Sequence, residues 1–231
     1  MVDEIKISLT EIIRHKLSFQ NRLDSLKRIG KIYSTDNKLR IFSWNIPLLN
    51  GTHEYSAIIQ FNPDKDSICR LVPLTDISRT YSGILYDAKF TPKNWFGALY
   101  YEILPVKTNK GIVYTLLGLH FNDLFTTKKI IESMSISENG SVTFGVPIFS
   151  YNNHIQRRVV FEYGINIIMN LKYDEYLNMI IFDHLAPSSP LYTNNFKFYG
   201  PDFTFDGLKF ENEKWTYYPN IDFHKRKKGK K

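Results

Sequence analysis

From Lys38 onward, the chain consists of short runs of β-branched and aromatic residues, each separated from the next by turn residues. The runs recur at intervals of about 8–14 residues with few helical patterns between them, which is typical of an antiparallel all-β domain. Aromatic residues make up 15% of the 231 residues, and this abundance also favours strands. The sequence therefore predicts a mainly β fold, an antiparallel meander arranged as a barrel, a sandwich or a propeller.

Several dipeptides mark the expected turns. Asn50-Gly51 and Asn139-Gly140 carry the strongest hairpin signal. Gly200-Pro201 and Asp206-Gly207 predict two further turns near the end of the domain. The run TTKKIIESMSI is compatible with a strand or with a turn of helix, so its pattern alone leaves both open.

The first 30 residues carry a helical pattern. Ser8 and Glu11 have the spacing of a capping box, and Gly30 is a plausible helix stop. Between them, apolar residues recur at helical steps: Leu9, Ile12, Ile13, Leu17, Leu23, Leu26 and Ile29. We predict one or two helices over about residues 9–29 within an N-terminal helical segment, residues 1–30, followed by a β-rich domain, residues 31–223. The apolar face is expected to pack on that domain; a partner-binding or membrane-surface helix is the alternative.

The positive charge is concentrated at the C-terminus. Residues 224–231 form a basic tail that we predict to be disordered and solvated, and the rest of the chain is close to neutral although the net charge is +7. A nucleic-acid reader usually carries its charge on a folded face instead. Weak, salt-sensitive contact with an anionic surface is the expected role of the six basic residues, Lys225, Arg226, Lys227, Lys228, Lys230 and Lys231.

Several chemistries are excluded by their missing motifs. The chain has no phosphate-binding loop, no dinucleotide-binding glycine pattern, no H-E-x-x-H and no G-x-S-x-G. Its single cysteine, Cys69, and six histidines without ligand spacing predict neither a metal site nor a cofactor. No apolar run approaches the ~20 residues that cross a bilayer. The opening MVDEIKISLT lacks the basic start and apolar core of a signal peptide.

Asp183 and His184 lie side by side in MIIFDHLAP and suggest an acid–base pair. Adjacent residues of a strand point to opposite faces, so we do not expect them to bond to each other. The alternation places His184 at a buried edge with Phe182, and Asp183 at the head of a turn. A catalytic role would need a partner from elsewhere, such as Glu162 or Asp202.

Three other carboxylates are candidates for catalysis. Glu162 lies in the apolar run VVFEY, which predicts that it faces outward or pairs with Arg157, Arg158 or Lys172. Asp202 and Asp206 would lie ~13 Å apart on a straight strand. That separation exceeds the one used by glycosidases, so we expect both to serve the turns beside them.

Aromatic and polar residues near strand ends are the candidates for ligand binding. Aromatic rings on a sheet face bind sugars or peptides, although most aromatic residues pack in cores. His120 and Asn122 follow an apolar strand and would line a site there or cap a turn. The candidate ligand-binding residues are Trp95, Tyr100, Tyr101, His120, Asn122 and Tyr199.

Several motifs together resemble a family of uncharacterised secreted or periplasmic proteins of Bacteroidota. The motifs cover about residues 20–223 and are DSLKRIGKIYSTDNKLRIFSWNIP, WFGALYYEI, YTLLGLHFND, VVFEYG, MNLKYDE, FDHLAP and FYGPDFTFDG. Family members usually carry a Gly-Trp-Asp-Gly-Asn type of run where this chain has Gly118 to Asn122. The resemblance implies a β-rich fold and a periplasmic or cell-envelope location; the opening without a signal peptide makes a cytoplasmic location the alternative.

The resemblance implies no reaction. Absent catalytic motifs and abundant aromatic strands lead us to expect a non-enzymatic binding or envelope-associated protein with an unknown protein or glycan partner. One alternative is a hydrolase acting on glycans through the carboxylates at 183 and 202–206. Another is an accessory or scaffold subunit of an envelope secretion assembly.

Overall fold

The computed structural model describes residues 2–21, 23–62 and 69–222. Within them, one α-helix precedes 15 strands, which form three sheets. The fold is mainly β, with antiparallel sheets and one N-terminal helix, as the sequence predicts. The basic tail lies outside the described residues. No helix in the described part of the chain has both the length and the apolar character to span a membrane.

The elements follow the chain in this order. The helix α1 is Val2–Arg14, and the first sheet has the order β1-β2-β3-β4: β1 Gly30–Tyr33, β2 Leu39–Pro47, β3 His53–Phe61 and β4 Arg70–Thr75. The central sheet has the order β11-β7-β6-β5, with β8 paired to β7: β5 Leu99–Thr108, β6 Gly111–Phe121, β7 Thr126–Ile136, β8 Val142–Phe144 and β11 Arg158–Gly164. The third sheet has the order β10-β9-β15-β14-β13-β12: β9 Phe149–Tyr151, β10 His154–Gln156, β12 Leu171–Asp174, β13 Met179–Pro187, β14 Tyr199–Glu211 and β15 Lys214–Tyr218. Short 3-10 helices span Lys16–Gln20, Leu85–Asp87, Pro92–Asn94, Pro190–Tyr192 and Phe196–Phe198.

The three sheets pack face to face, with the central sheet between the other two. One core cluster joins the first and central sheets and includes Ile59 and Leu116. A second cluster joins the central and third sheets and includes Leu117 and Phe182. Because Leu116 and Leu117 are neighbours on β6, this strand is buried on both faces. Burial on both faces explains why its sequence is a nearly continuous apolar run rather than an alternating one.

The helix covers the outer face of the first sheet but has different bounds from those predicted. It ends at Arg14 rather than near Ile29, and Ser8 and Glu11 lie within it. Leu9 and Ile13 are buried against Trp44 in a third core cluster, which Leu23, Leu26 and Ile29 join from a segment of turns. Burial of each such apolar side chain stabilises the fold by about 1.5–3 kcal/mol. The three-residue spacing therefore marks a shared buried face, not a continuous helix.

Arg40 gives a physical reason for the chain to turn after the helix. Its buried guanidinium donates hydrogen bonds to the carbonyl oxygens of Ser18 (2.9 Å) and Asn21 (2.7 Å) and to Gln60 Oε1 (2.8 Å). Gln60 in turn donates to the Ile13 carbonyl at the last turn of the helix (2.8 Å). The charged guanidinium thus fixes the short 3-10 helix that follows α1, and the Gln60 amide pairs a carbonyl at the end of α1 itself.

Two predicted turns are wrong, and the ambiguous run is a strand. Gly200-Pro201 and Asp206-Gly207 both lie inside β14, paired with β13. Gly200 opposes Ala186 at the start of the strand, and Asp206 opposes Phe182. The hairpin at Asn50-Gly51 and the turn at Asn139-Gly140 are confirmed, with positive φ at both glycines. TTKKIIESMSI forms β7, the second strand of the central sheet.

Candidate functional site

His184 and Asp206 form the closest polar contact among the predicted catalytic residues. His184 Nδ1 lies 2.7 Å from Asp206 Oδ2, and Asp206 is buried while the imidazole is 44% exposed. The same carboxylate accepts hydrogen bonds from the Tyr217 hydroxyl (2.8 Å) and the Asn220 amide (3.1 Å). Burial, together with the bond to Asp206, raises the pKa of Tyr217. The cluster fixes one side of the imidazole and leaves part of the ring open to solvent.

An irregularity in the strand pairing brings this pair together. Asp183 opposes Phe205, but Leu185 opposes Pro201, so residues 202–204 form a bulge across from His184. The expected positions of Asp183 and His184 are therefore reversed. Asp183 is the buried residue, accepting bonds from the amide and side chain of Asn170 (2.7 and 3.0 Å), and it does not head a turn, because β13 continues to Pro187.

The other two carboxylates have local partners. Glu162 lies 3.4 Å from Lys128 Nζ and accepts a bond from the Thr126 hydroxyl (2.8 Å), so its cation is Lys128 and not any of the three predicted. Asp202 accepts bonds from the Thr204 amide (3.0 Å) and hydroxyl (2.7 Å) within the bulge. Asp183, Asp202, Asp206 and Glu162 thus each engage a different neighbour. Among the described residues no group of three or more His, Cys, Asp or Glu is placed to hold a metal ion.

Two of the aromatic candidates lie in the core. Trp95 and Tyr100 are buried in the cluster between the first and central sheets, and Trp95 Nε1 donates to the Tyr100 hydroxyl (2.9 Å). Burial raises the pKa of Tyr100 well above its usual range. Their rings support the sheet packing and present no face to a ligand.

His120 and Asn122 line a small polar cavity at one end of the first and central sheets. The cavity measures about 320 Å³ and is also lined by His53, Ser78 and Arg79. His120 is buried, donates from Nδ1 to the Gly97 carbonyl (2.7 Å) and stacks on the Tyr55 ring at 4.7 Å. Burial lowers the pKa of His120 to about 4, so the ring is neutral near neutral pH. His120 itself lies in β6, and the expected turn follows it, where the Asp123 carboxylate accepts bonds from the amides of Phe125 and Thr126.

Tyr101 and Tyr199 line two separate grooves. Tyr101 borders a groove of about 690 Å³ beside β5, donates to the Leu171 carbonyl (3.0 Å) and has Lys129 Nζ 4.4 Å from its ring centre. Tyr199 and Asp202 border a groove of about 520 Å³ that Ile167 also lines. The predicted ligand-binding residues therefore occur in the core, in a cavity and in two grooves, and they do not form one site.

Exposed apolar residues do gather in one place, at one end of the three sheets. Four connections contribute them: the β2–β3 and β6–β7 hairpins, the segment between β11 and β12, and the segment from β13 into the start of β14. We call this surface the apolar end. It is formed by side chains that are 61% to 111% exposed, namely Leu49, Leu124, Phe125, Ile168, Leu191 and Phe203.

Contacts between these connections hold them together at this end. The Gly51 turn packs on Leu124, since a Cβ at Gly51 would clash with that side chain. The Ile165 amide donates to the Phe125 carbonyl (2.8 Å). Ile167 lies against Gly200, three residues before Phe203. Partly exposed rings, including Tyr192 stacked on Phe198 at 4.0 Å, lie in the segment between β13 and β14.

The opposite end of the sheets is polar. Its described turns consist mostly of Ser, Thr, Asn, Asp, Glu and Lys residues. They span residues 34–38, 109–110, 137–141, 175–178 and 212–213. Within these turns Tyr176 is the one large apolar side chain that is strongly exposed. Single exposed apolar residues are normal, but a contiguous group on one end marks an interaction surface.

Phe203 is the most unusual residue of the apolar end. It is 92% exposed, and its φ of +70° places a bulky side chain in the left-handed region. Such a backbone costs on the order of 1–3 kcal/mol for a residue other than glycine. Strain of this kind, combined with full exposure of a ring, indicates a position held for a purpose other than stability.

Sequence reasoning missed this surface. Its residues come from connections far apart in the chain, and their proximity depends on the stacking of the sheets. The one local signal was an aromatic residue, Phe203, close to Asp202 and a Gly-Pro pair. No protein-family model, curated protein or solved structure matches the chain.

Proposed function

We propose that this protein is a non-enzymatic binding protein that docks through its apolar end, and that it acts at the cell envelope, in line with the resemblance of its motifs. The observation that carries the proposal is the segregation of exposed apolar residues to one end of the sheets, opposite a set of polar turns. Covering a side chain such as Leu191 or Ile168 gains about 1.5–3 kcal/mol. Docking of several of these side chains therefore provides enough free energy for reversible association.

The local partners of the carboxylates support a non-enzymatic function. Asp183 is satisfied by Asn170, Asp202 by Thr204, and Glu162 by Lys128 and Thr126. A general acid or base needs an atom that can donate or accept a proton within hydrogen-bond reach of a substrate. The carboxylates of Asp183 and Asp202, bonded to Asn170 and Thr204, therefore serve as structural groups, Asp183 in β13 and Asp202 in the bulge.

Retention on an octyl-substituted matrix at low salt tests the docking function. We expect the wild-type protein to be retained and an end variant to elute early, because the end variant lacks three exposed apolar side chains. A control variant that lacks three other exposed apolar side chains, 47% to 71% exposed and outside the apolar end, should elute like the wild type. The end variant is Ile168→Ser, Leu191→Ser and Phe203→Asn, and the control variant is Ile84→Ser, Ile155→Ser and Tyr176→Ser. Equal elution of the two variants would refute the proposal.

A glycan hydrolase is the second candidate, favoured by the contact between His184 and Asp206. A buried carboxylate that holds a half-exposed imidazole is an arrangement that general bases use. This candidate predicts turnover of a glycoside panel by the wild-type protein and a large loss of rate in His184→Gln. An unchanged rate in that variant, or no turnover by the wild type, would eliminate it.

A further inference from the structure

We propose that the surface bound by the apolar end is an anionic lipid bilayer, contacted peripherally and without crossing. This inference rests on the docking function proposed above and names its partner. Two independent features support it: the shape of the apolar side chains and the position at which the basic C-terminal sequence leaves the domain.

The apolar side chains protrude rather than form a flat patch. Ile168, Leu191 and Phe203 are each more than four-fifths exposed, so they stand clear of their neighbours. The core of a protein–protein interface is a closely packed surface with shape complementarity. The boundary between lipid headgroups and acyl chains instead accepts separate protruding side chains to a depth of about 5–10 Å.

The chain leaves the third sheet beside this surface. After β15, the Asn220 amide bonds to Asp206 (3.1 Å) and the Ile221 amide bonds to the Phe205 carbonyl (2.6 Å). Ile221 is thereby fixed next to β14, two positions from Phe203. The sequence that follows Asp222 contains six Lys and Arg residues within residues 224–231.

An apolar insertion surface and a basic segment are the two signals that together give stable membrane anchoring. Two acidic side chains at this end are held by hydrogen bonds from their own loops. Asp123 accepts bonds from the amides of Phe125 and Thr126, and Asp202 accepts bonds from Thr204. Lys197 adds a cation among the exposed rings, with Nζ 4.9 Å from the Phe198 ring centre.

Binding to lipid vesicles tests this inference. Wild-type protein is titrated with vesicles of phosphatidylcholine alone and with vesicles that also contain phosphatidylglycerol, at low and high salt. We expect binding to the anionic vesicles, weakened about 10- to 100-fold by high salt or by loss of the basic sequence. The tail variant replaces Lys225, Arg226, Lys227, Lys228, Lys230 and Lys231 by Gln, and its control replaces Lys107, Lys110 and Lys214 at the polar end by Gln.

Each outcome decides between the lipid and its alternatives. Comparable losses in the end variant and the tail variant, with no loss in either control, support a bilayer. Equal binding by the tail variant and the wild type, or no binding of wild type to anionic vesicles, overturns the lipid proposal. If octyl retention still depends on the apolar end in that case, the docking function stands and the surface belongs to a protein; if it does not, both proposals fail.

Discussion

The imidazole of His184 contacts the carboxylate of Asp206 from the neighbouring strand, with Nδ1 2.7 Å from Oδ2. Because Asp206 is buried and also bonded to Tyr217 and Asn220, it organises the end of β15 as well as the histidine. We expect Asp206→Asn to lower the free energy of unfolding by about 1–3 kcal/mol, since a buried network then loses its charged acceptor. His184→Gln should cost less than about 1 kcal/mol, because the ring is half exposed. Urea denaturation measures both, and equal losses would contradict this assignment of roles.

Glu132 and Arg158 form a fully buried ion pair in the central sheet, with Nε 2.8 Å from Oε2. Burial raises the pKa of Glu132 and the guanidinium of Arg158 opposes that rise. We predict that Arg158→Met lowers the free energy of unfolding by about 3–5 kcal/mol, because it leaves a buried carboxylate without its cation. Adding Glu132→Gln should recover part of that loss. A double-mutant cycle in urea tests the coupling, and strictly additive effects would refute it.

His120 predicts a specific pH dependence of stability. Its pKa is lowered by burial to about 4 in the folded protein, from 6.5 in the unfolded chain. The unfolded state therefore binds the proton more tightly, so stability is fully present above pH 6.5 and falls as the pH decreases towards 4. The loss amounts to about 3 kcal/mol.

The His120→Gln variant isolates this contribution. Its free energy of unfolding, compared with that of the wild type at pH 7 and at pH 4.5, should show a smaller decrease with acid. If the two proteins lose the same stability over this interval, burial of a neutral His120 is not the cause of the acid sensitivity.

Phe203 should be unfavourable for stability and favourable for binding. Phe203→Gly relieves the positive φ, and we expect it to raise stability by about 1 kcal/mol, or about 2–4 °C in Tm. The same substitution removes a ring from the apolar end and should weaken retention on the octyl matrix. For this variant, calorimetry measures the change in stability and chromatography on the octyl matrix measures the change in retention. A variant that is less stable than the wild type would show that the ring packs usefully in the free protein.

The strands were predictable because they are encoded locally. Apolar runs such as that of β6, and the positive φ at Gly51 and Gly140, depend on neighbouring residues alone. The end of the helix was not predictable from neighbouring residues, because it depends on Arg40, which lies further along the chain on β2. Gly200-Pro201 failed as a turn signal because Pro201 lies at an irregular pairing in β14, beside the bulge that tolerates it.

The candidate site was less predictable than the fold. Asp202, Asp206 and His184 were identified by residue type, but the bulge at 202–204 determines which of them meet. The apolar end was harder still to predict, since Leu49, Leu124 and Phe203 reach the same end of the fold only after the three sheets have stacked. A single sequence shows these residues as separate apolar positions in loops, which are common in any protein.

Site-specific fluorescence tests the central claim most directly. A polarity-sensitive dye is attached at Ile168→Cys in the apolar end or at Tyr176→Cys in the polar end, and dodecyl maltoside micelles are added as a neutral apolar surface. The native thiol, Cys69, is buried, so the introduced cysteine is the reactive one. We predict a blue shift and an intensity increase at position 168 and no change at position 176. Equal responses at both positions, or a response at 176 alone, would contradict docking through the apolar end.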